Sequence, residues 1–152
     1  MEKLDSYLTF KLGNETFAAN IAYVLHILGI PVITKMPNSP DYVMGVMNLR
    51  GQVLPIIDPH SRFKIESQEI TKDSCIIVLD IFDNKEQFQL GSLVDSVQEV
   101  IEVTKEQILP PPEIGVAYNS KYIDGVIQRG EKFILILNIT QVFSELGTRI
   151  KV

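Results

Sequence analysis

Gly45-Val46-Met47-Asn48-Leu49-Arg50-Gly51-Gln52-Val53-Leu54-Pro55-Ile56-Ile57-Asp58 reads as a strand, a tight Arg50-Gly51 turn and a second strand closed by an acid. Glycine can take the positive φ that such a turn demands. A plain turn would be content with Asn-Gly or Asp-Gly. Arginine adds a planar, five-donor fork able to grip carboxylates or backbone carbonyls, so Arg50 is either a solvated turn residue or an anchor for a partner. The same plan recurs later: Gly125-Val126, then Arg129-Gly130, then an apolar strand ending at Asn138. The two units have equal length from glycine to closing residue, with Arg-Gly one place earlier in the second. Either this is coincidence or the chain is internally duplicated. Duplication implies two similar β-lobes, each built on a strand, Arg-Gly turn and strand. With no low-complexity linker between them, the lobes pack directly together.

Outward from these units, short strand-like runs dominate. Leu8, Phe10 and Leu12 alternate with Tyr7, Thr9 and Lys11, the period of a half-buried strand. Gly13-Asn14 is a hairpin turn into Glu15 to Ala19. Further strands are expected over Val32 to Met36, Val46 to Leu49, Gln52 to Asp58, Ser74 to Asp80, Gln87 to Val94, Gln98 to Val103, Tyr122 to Gln128 and Lys132 to Asn138. Crossover helices of the length a parallel sheet needs are missing. Many short strands between Gly, Pro and Asn clusters give a mainly β fold, barrels or a sandwich.

Three short helices are expected. Asn20 is a good N-cap, with Ile21, Val24, Leu25 and Leu28 as its core stripe and Gly29 as the stop. Tyr23 and Ile27 fall nearly opposite that stripe. Burial is expected for Tyr23 and partner contact for Ile27, with His26 solvated on the flank. Thr104 and Gln107 have capping-box spacing ahead of Pro110-Pro111-Pro112. Asn138 or Thr140 starts a last helix through Gln141 to Leu146.

The 152 residues (17.1 kDa) carry a net charge of −5 and have a pI near 5.0, which disfavours phosphate backbones and anionic lipid as primary partners. An oligonucleotide-binding surface would interleave exposed aromatics with Lys and Arg, whereas Phe10, Phe17 and Phe133 sit at core-like positions. The single Cys75, inside Cys75-Ile76-Ile77-Val78-Leu79, reads as a buried small hydrophobe. No apolar run approaches the roughly 20 residues that span a bilayer, and the N-terminus has no secretory plan. A cytoplasmic address is expected.

Catalytic chemistry is not legible. His26 and His60 are the only histidines, and neither lies in a zinc pattern. Gly45, Gly51 and Gly91 stand apart from one another, and no serine has a Gly-x-Ser-x-Gly context. Asp80 and Asp83 flank a hairpin turn and read as solvated. The expectation is no catalytic residue, no cofactor and no metal.

Taken in order, these residues resemble the CheW family of chemotaxis coupling proteins, from about Tyr7 to Phe143. The signature is Gly45 to Asp58, similar to the family's Gly-Val-x-Asn-Leu-Arg-Gly-x-hydrophobic-x-Pro-hydrophobic-hydrophobic-Asp. Gly91-Ser92-Leu93-Val94-Asp95-Ser96-Val97, Glu99-Val100 and Ile123-Asp124-Gly125-Val126 support it. The resemblance implies a single domain over residues 1–152, made of two packed five-stranded SH3-like β-barrels with short helices. One lobe is expected over residues 15–80, containing the Arg50 turn, and the other over 81–152 plus the N-terminal strand. It implies a non-catalytic scaffold linking the cytoplasmic tips of chemoreceptors to the regulatory domain of the histidine kinase CheA. The receptor would lie in the groove between barrels, with the protein recruited to membrane-associated arrays. Carried over by position, Val24, His26, Ile27, Gly45, Asn48, Leu49, Arg50 and Gly51 are the partner-binding candidates.

Two positions depart from the family. His26 stands where many members have Glu, and Asp58 is followed by Pro59-His60 where the family usually continues Leu-Arg. The rival reading is a small-molecule sensor or enzyme on a double barrel, betrayed by a polar pocket with convergent titratable groups. A nucleic-acid binder comes third.

Overall fold

The computed structural model describes residues 3–83, 86–111 and 120–148. Its strands form two curled sheets. The first has the order β8 (Ser96–Thr104), β1 (Leu4–Leu12), β2 (Glu15–Asn20), β11 (Lys132–Leu137), β10 (Ile123–Arg129) and a two-residue β9 (Ile108–Leu109). The second has the order β3 (Val24–Gly29), β6 (Cys75–Asp83), β7 (Glu86–Val94), β5 (Gln52–Ile57) and β4 (Val43–Leu49). Each sheet joins two antiparallel hairpins by one parallel contact, β2 with β11 and β7 with β5. The fold is thus mainly β, in agreement with the expected double-barrel architecture.

The sheets exchange strands. After the β1–β2 hairpin the chain crosses to place β3 beside β6, and after the β6–β7 hairpin it crosses back to place β8 beside β1. Sheet membership therefore changes at Ile21–Tyr23 and at Asp95, not between residues 80 and 81. β2 belongs to the first sheet and β7 to the second, which corrects the 15–80 and 81–152 division. Each crossing strand lies on an edge, so the sheets cannot separate without breaking backbone ladders.

Alternation explains the core. On β6, Ile77, Leu79 and Ile81 face a cluster shared by both sheets, while Ile76 and Val78 face the interior of their own barrel. On β11, Leu135 and Leu137 join the shared cluster, and Ile134 and Ile136 fill the other barrel. Strands buried on both faces read as continuous apolar runs. Each large aliphatic side chain so buried contributes about 1.5–3 kcal/mol before entropy is counted. The helix α1 (Ile139–Thr148) closes the shared cluster with Ile139, Val142 and Phe143. Asn138 caps it, its Oδ1 accepting the Gln141 N–H at 3.0 Å.

Several local expectations fail. Asn20 caps only a single 3-10 turn, Ile21–Tyr23, and Val24–Gly29 is a strand. Val24, His26 and Leu28 are half-buried while Leu25, Ile27 and Gly29 are exposed, a period of two that the pairing with β6 imposes over helix propensity. Ile21 and Leu25, expected in the core, are on the surface. Tyr23 does pack against the shared cluster. Val32 to Met36 contributes one bridge, Thr34 to Val46. Thr104 and Gln107 do form a capping box, around the 3-10 turn Lys105–Gln107, and Pro112 lies outside the described residues. Phe133 is 50% exposed, because it faces away from the barrel beside the β10–β11 tip. Cys75 is only partly buried. Asp80 is buried and accepts from the Gln87 amide at 3.0 and 3.1 Å across the β6–β7 ladder.

Candidate functional site

The β4–β5 hairpin closes at the pair Leu49 and Gln52, leaving Arg50-Gly51 as a two-residue loop. Arg50 has φ +52° and Gly51 φ +87°, the left-handed pair of a type I′ turn, whose twist matches its flanking strands. Asn48 Oδ1 accepts the Gly51 N–H at 2.8 Å and locks the turn. A left-handed residue other than glycine costs about 1–2 kcal/mol, so Arg50 is held in strain. Its guanidinium is exposed and forms no ion pair among the described residues.

Beside this tip lies an open groove of about 390 Å³ lined by Pro31, Val32, Thr34, Val46, Met47, Asn48 and Val53. Its walls are apolar and wet: Val32 is 88% and Val53 50% exposed. Gly45 holds one wall in place. It has φ +146°, and a Cβ there would lie 2.3 Å from Thr34 O, so only glycine permits the paired bonds Thr34 N to Val46 O (2.9 Å) and Val46 N to Thr34 O (2.8 Å). Gly45 is itself buried and shapes the groove without touching what enters it.

Val24, His26 and Ile27 stand elsewhere. They lie on β3, the opposite edge of the same sheet from β4, with three strands between them in the ladder. Only Ile27 among them is exposed, at 46%, on the same face of β3 as Leu25. The predicted residues therefore divide into two surfaces, an arginine-tipped groove and an apolar edge strand. Between the barrels, the space bounded by Phe10, Ala19, Ile77, Leu79, Ser92, Val94, Ile139 and Phe143 amounts to only about 10 Å³. The interior of that seam is filled by the chain's own side chains.

Sequence reasoning missed Leu25, for which strand alternation was the available signal, and also Val32, which lies outside any strand, and Val53, which stands beside the hairpin tip. It also missed a buried charge cluster in the loop after β5. His60 Nδ1 meets Asp58 Oδ1, and His60 Nε2 lies 3.0 Å from Asp95 Oδ1. Burial opposes charge on both Asp58 and His60, yet hydrogen bonds prevail. Those from His60 and Ser67 hold the Asp58 carboxyl below its ordinary range, and those to Asp58 and Asp95 raise the His60 pKa above that of a free imidazole. The next turn, His60–Phe63, drives Phe63 into the core against Phe17 (ring centroids 4.9 Å apart) and sends Arg62 to the Tyr122 hydroxyl at 2.7 Å.

The model of the CheW-like domain matches residues 6–147. A chemotaxis protein CheW of Klebsiella aerogenes is 36% identical over 138 residues, covering 91% of this chain and 81% of that protein. A probable chemotaxis protein CheW of Rhizobium etli is likewise 36% identical, over 91% of this chain and 86% of its own length. Among solved structures, the scaffolding protein TtCheW from Thermoanaerobacter tengcongensis superposes with a TM-score of 0.82 at 30% identity, over 94% of this chain and 90% of that one.

Proposed function

The chain belongs to the CheW-like family, a family of chemotaxis scaffolds and not of enzymes, and from that premise we propose that it couples the cytoplasmic tips of chemoreceptors to the histidine kinase CheA. The observation that carries this reading is Arg50, a residue with a strained backbone and an exposed guanidinium that has no carboxylate partner among the described residues, set beside an apolar groove. Strain of this kind collects at sites that bind, and an exposed arginine beside apolar contacts is the composition of an interface hot spot. The kinase's regulatory domain would lay apolar side chains between Val32 and Val53 and offer Arg50 a carboxylate or carbonyls. The receptor hairpin would use the β3 edge, where Leu25 and Ile27 present apolar surface. Signalling would then be a shift in how three proteins sit together, biasing the kinase between two states.

The protein would work in the cytoplasm, recruited to receptor arrays. Among the described residues no helix is long and apolar enough to cross a membrane. The test is binding of purified chain to a kinase regulatory domain and, separately, to a receptor hairpin fragment. Capture of both supports the reading. Capture of neither, by a folded protein, sinks it.

A further inference from the structure

His60 is fully buried, and both of its ring nitrogens face carboxylates. Nδ1 meets Asp58 Oδ1, while Nε2 lies 3.0 Å from Asp95 Oδ1 and 3.1 Å from Oδ2. A neutral imidazole has one N–H and one bare nitrogen, so it can donate to one carboxylate only. The imidazolium alone satisfies both contacts with both acids ionised.

The surroundings fix what this cation joins. Asp58 follows β5 of the five-stranded sheet; its carboxylate also accepts the His60 backbone N–H at 3.0 Å and the Ser67 hydroxyl. Asp95 is the link that carries the chain from β7 to β8, and its Oδ2 accepts the Gly13 N–H at 2.6 Å from the β1–β2 turn of the other sheet. Lys11 of β1 meets Asp95 through its carbonyl, which accepts the Asp95 N–H at 2.9 Å. Of the nearby cations on the loop itself, Arg62 is directed to Tyr122, and Lys64 is exposed.

We propose that His60 is a proton-operated clasp between the two sheets. Charged, it ties the end of β5, the β7–β8 link and the β1–β2 turn into one network. Neutral, it leaves a carboxylate facing a nitrogen lone pair and releases the loop that carries Phe63. An arginine at this place would be permanently charged, whereas histidine makes the tie depend on pH. Because His60 binds its proton more tightly folded than unfolded, its stabilisation is complete below about pH 6.5 and is lost as pH rises through the folded value. Asp58 runs the other way: its contribution is present at and above ordinary carboxylate values and disappears only in acid. The clasp therefore opens on the alkaline side.

The test is made on the intact protein and involves no partner, so it stands or falls separately from the coupling reading. Long-range proton–nitrogen NMR of His60 at neutral pH should show both ring nitrogens protonated. In urea titrations the unfolding constant should rise by up to about tenfold per pH unit as the folded pKa is approached. Gly13 and Asp95 amides should lose exchange protection over the same range. His60→Gln should abolish that rise, and His60→Arg should keep the protection at every pH. A bare ring nitrogen at neutral pH, or the same alkaline rise in His60→Gln, would overturn the proposal. If His60→Gln does not fold, the ring spectrum of the unmodified protein decides alone.

Discussion

The β4–β5 and β10–β11 hairpins are built on one plan and end differently. Each carries a register shift at a glycine, Gly45 or Gly125, and each packs that glycine against a neighbouring segment, Thr34 or Ile108–Leu109. Each closes with the same backbone bond, Asp58 N to Tyr42 O at 2.8 Å and Asn138 N to Tyr122 O at 2.9 Å. The side chain of each closing residue then starts a helical turn, His60–Phe63 or α1. At the tips the likeness ends. The second hairpin places Gly130, φ +64°, where the first holds Arg50 in the left-handed region. Folding alone is served better by the glycine. The difference is the reason we propose the first tip, rather than the second, as the one that meets a partner.

The comparison can be broken at its glycines. Gly45→Ala meets a backbone carbonyl and an unfavourable φ, and should lower stability by about 3 kcal/mol in urea unfolding. Gly125→Ala presses on the Ile108 side chain, with Leu109 O at 3.0 Å, and should cost about half as much. Equal losses would mean that the Thr34 segment yields freely. Asn138→Ala removes the cap of α1 and should cost about 1 kcal/mol; melting temperature reads it. Asn48→Ala deletes the turn-locking bond and should cost about 1 kcal/mol or slightly less, being exposed. Smallest is Arg50→Gly, which puts glycine where the sister loop has Gly130 and should raise stability by about 0.5 kcal/mol, the relief of strain exceeding the added freedom of the unfolded chain. A loss there would show that Arg50 is not strained.

The hairpins were legible because their pattern is local, apolar strands around a glycine-bearing turn, although only the first turn is Arg-Gly: Arg129 pairs with Lys132, which leaves Gly130-Glu131 as the second loop. The double barrel followed from that pattern and from the resemblance it carries. The β3 strand was not legible, because Ile21, Val24, Leu25 and Leu28 also fit a helical stripe, and only pairing with β6 decides between the periods. Sheet exchange was hidden for the same reason: a strand does not record which sheet it joins. Phe133 looked like core because alternation near a hairpin tip does not say which side the barrel closes. His60 read as a departure in a loop, since Asp95, its second partner, is 35 residues away in sequence.

The sharpest measurement is a titration of the kinase regulatory domain with the unmodified chain, Arg50→Ala and Arg129→Ala, each checked for an unchanged urea midpoint. Arg50→Ala should weaken binding by about 30-fold, the scale of a hot-spot arginine, while Arg129→Ala binds like the parent. Equal affinity for all three folded proteins would contradict the account.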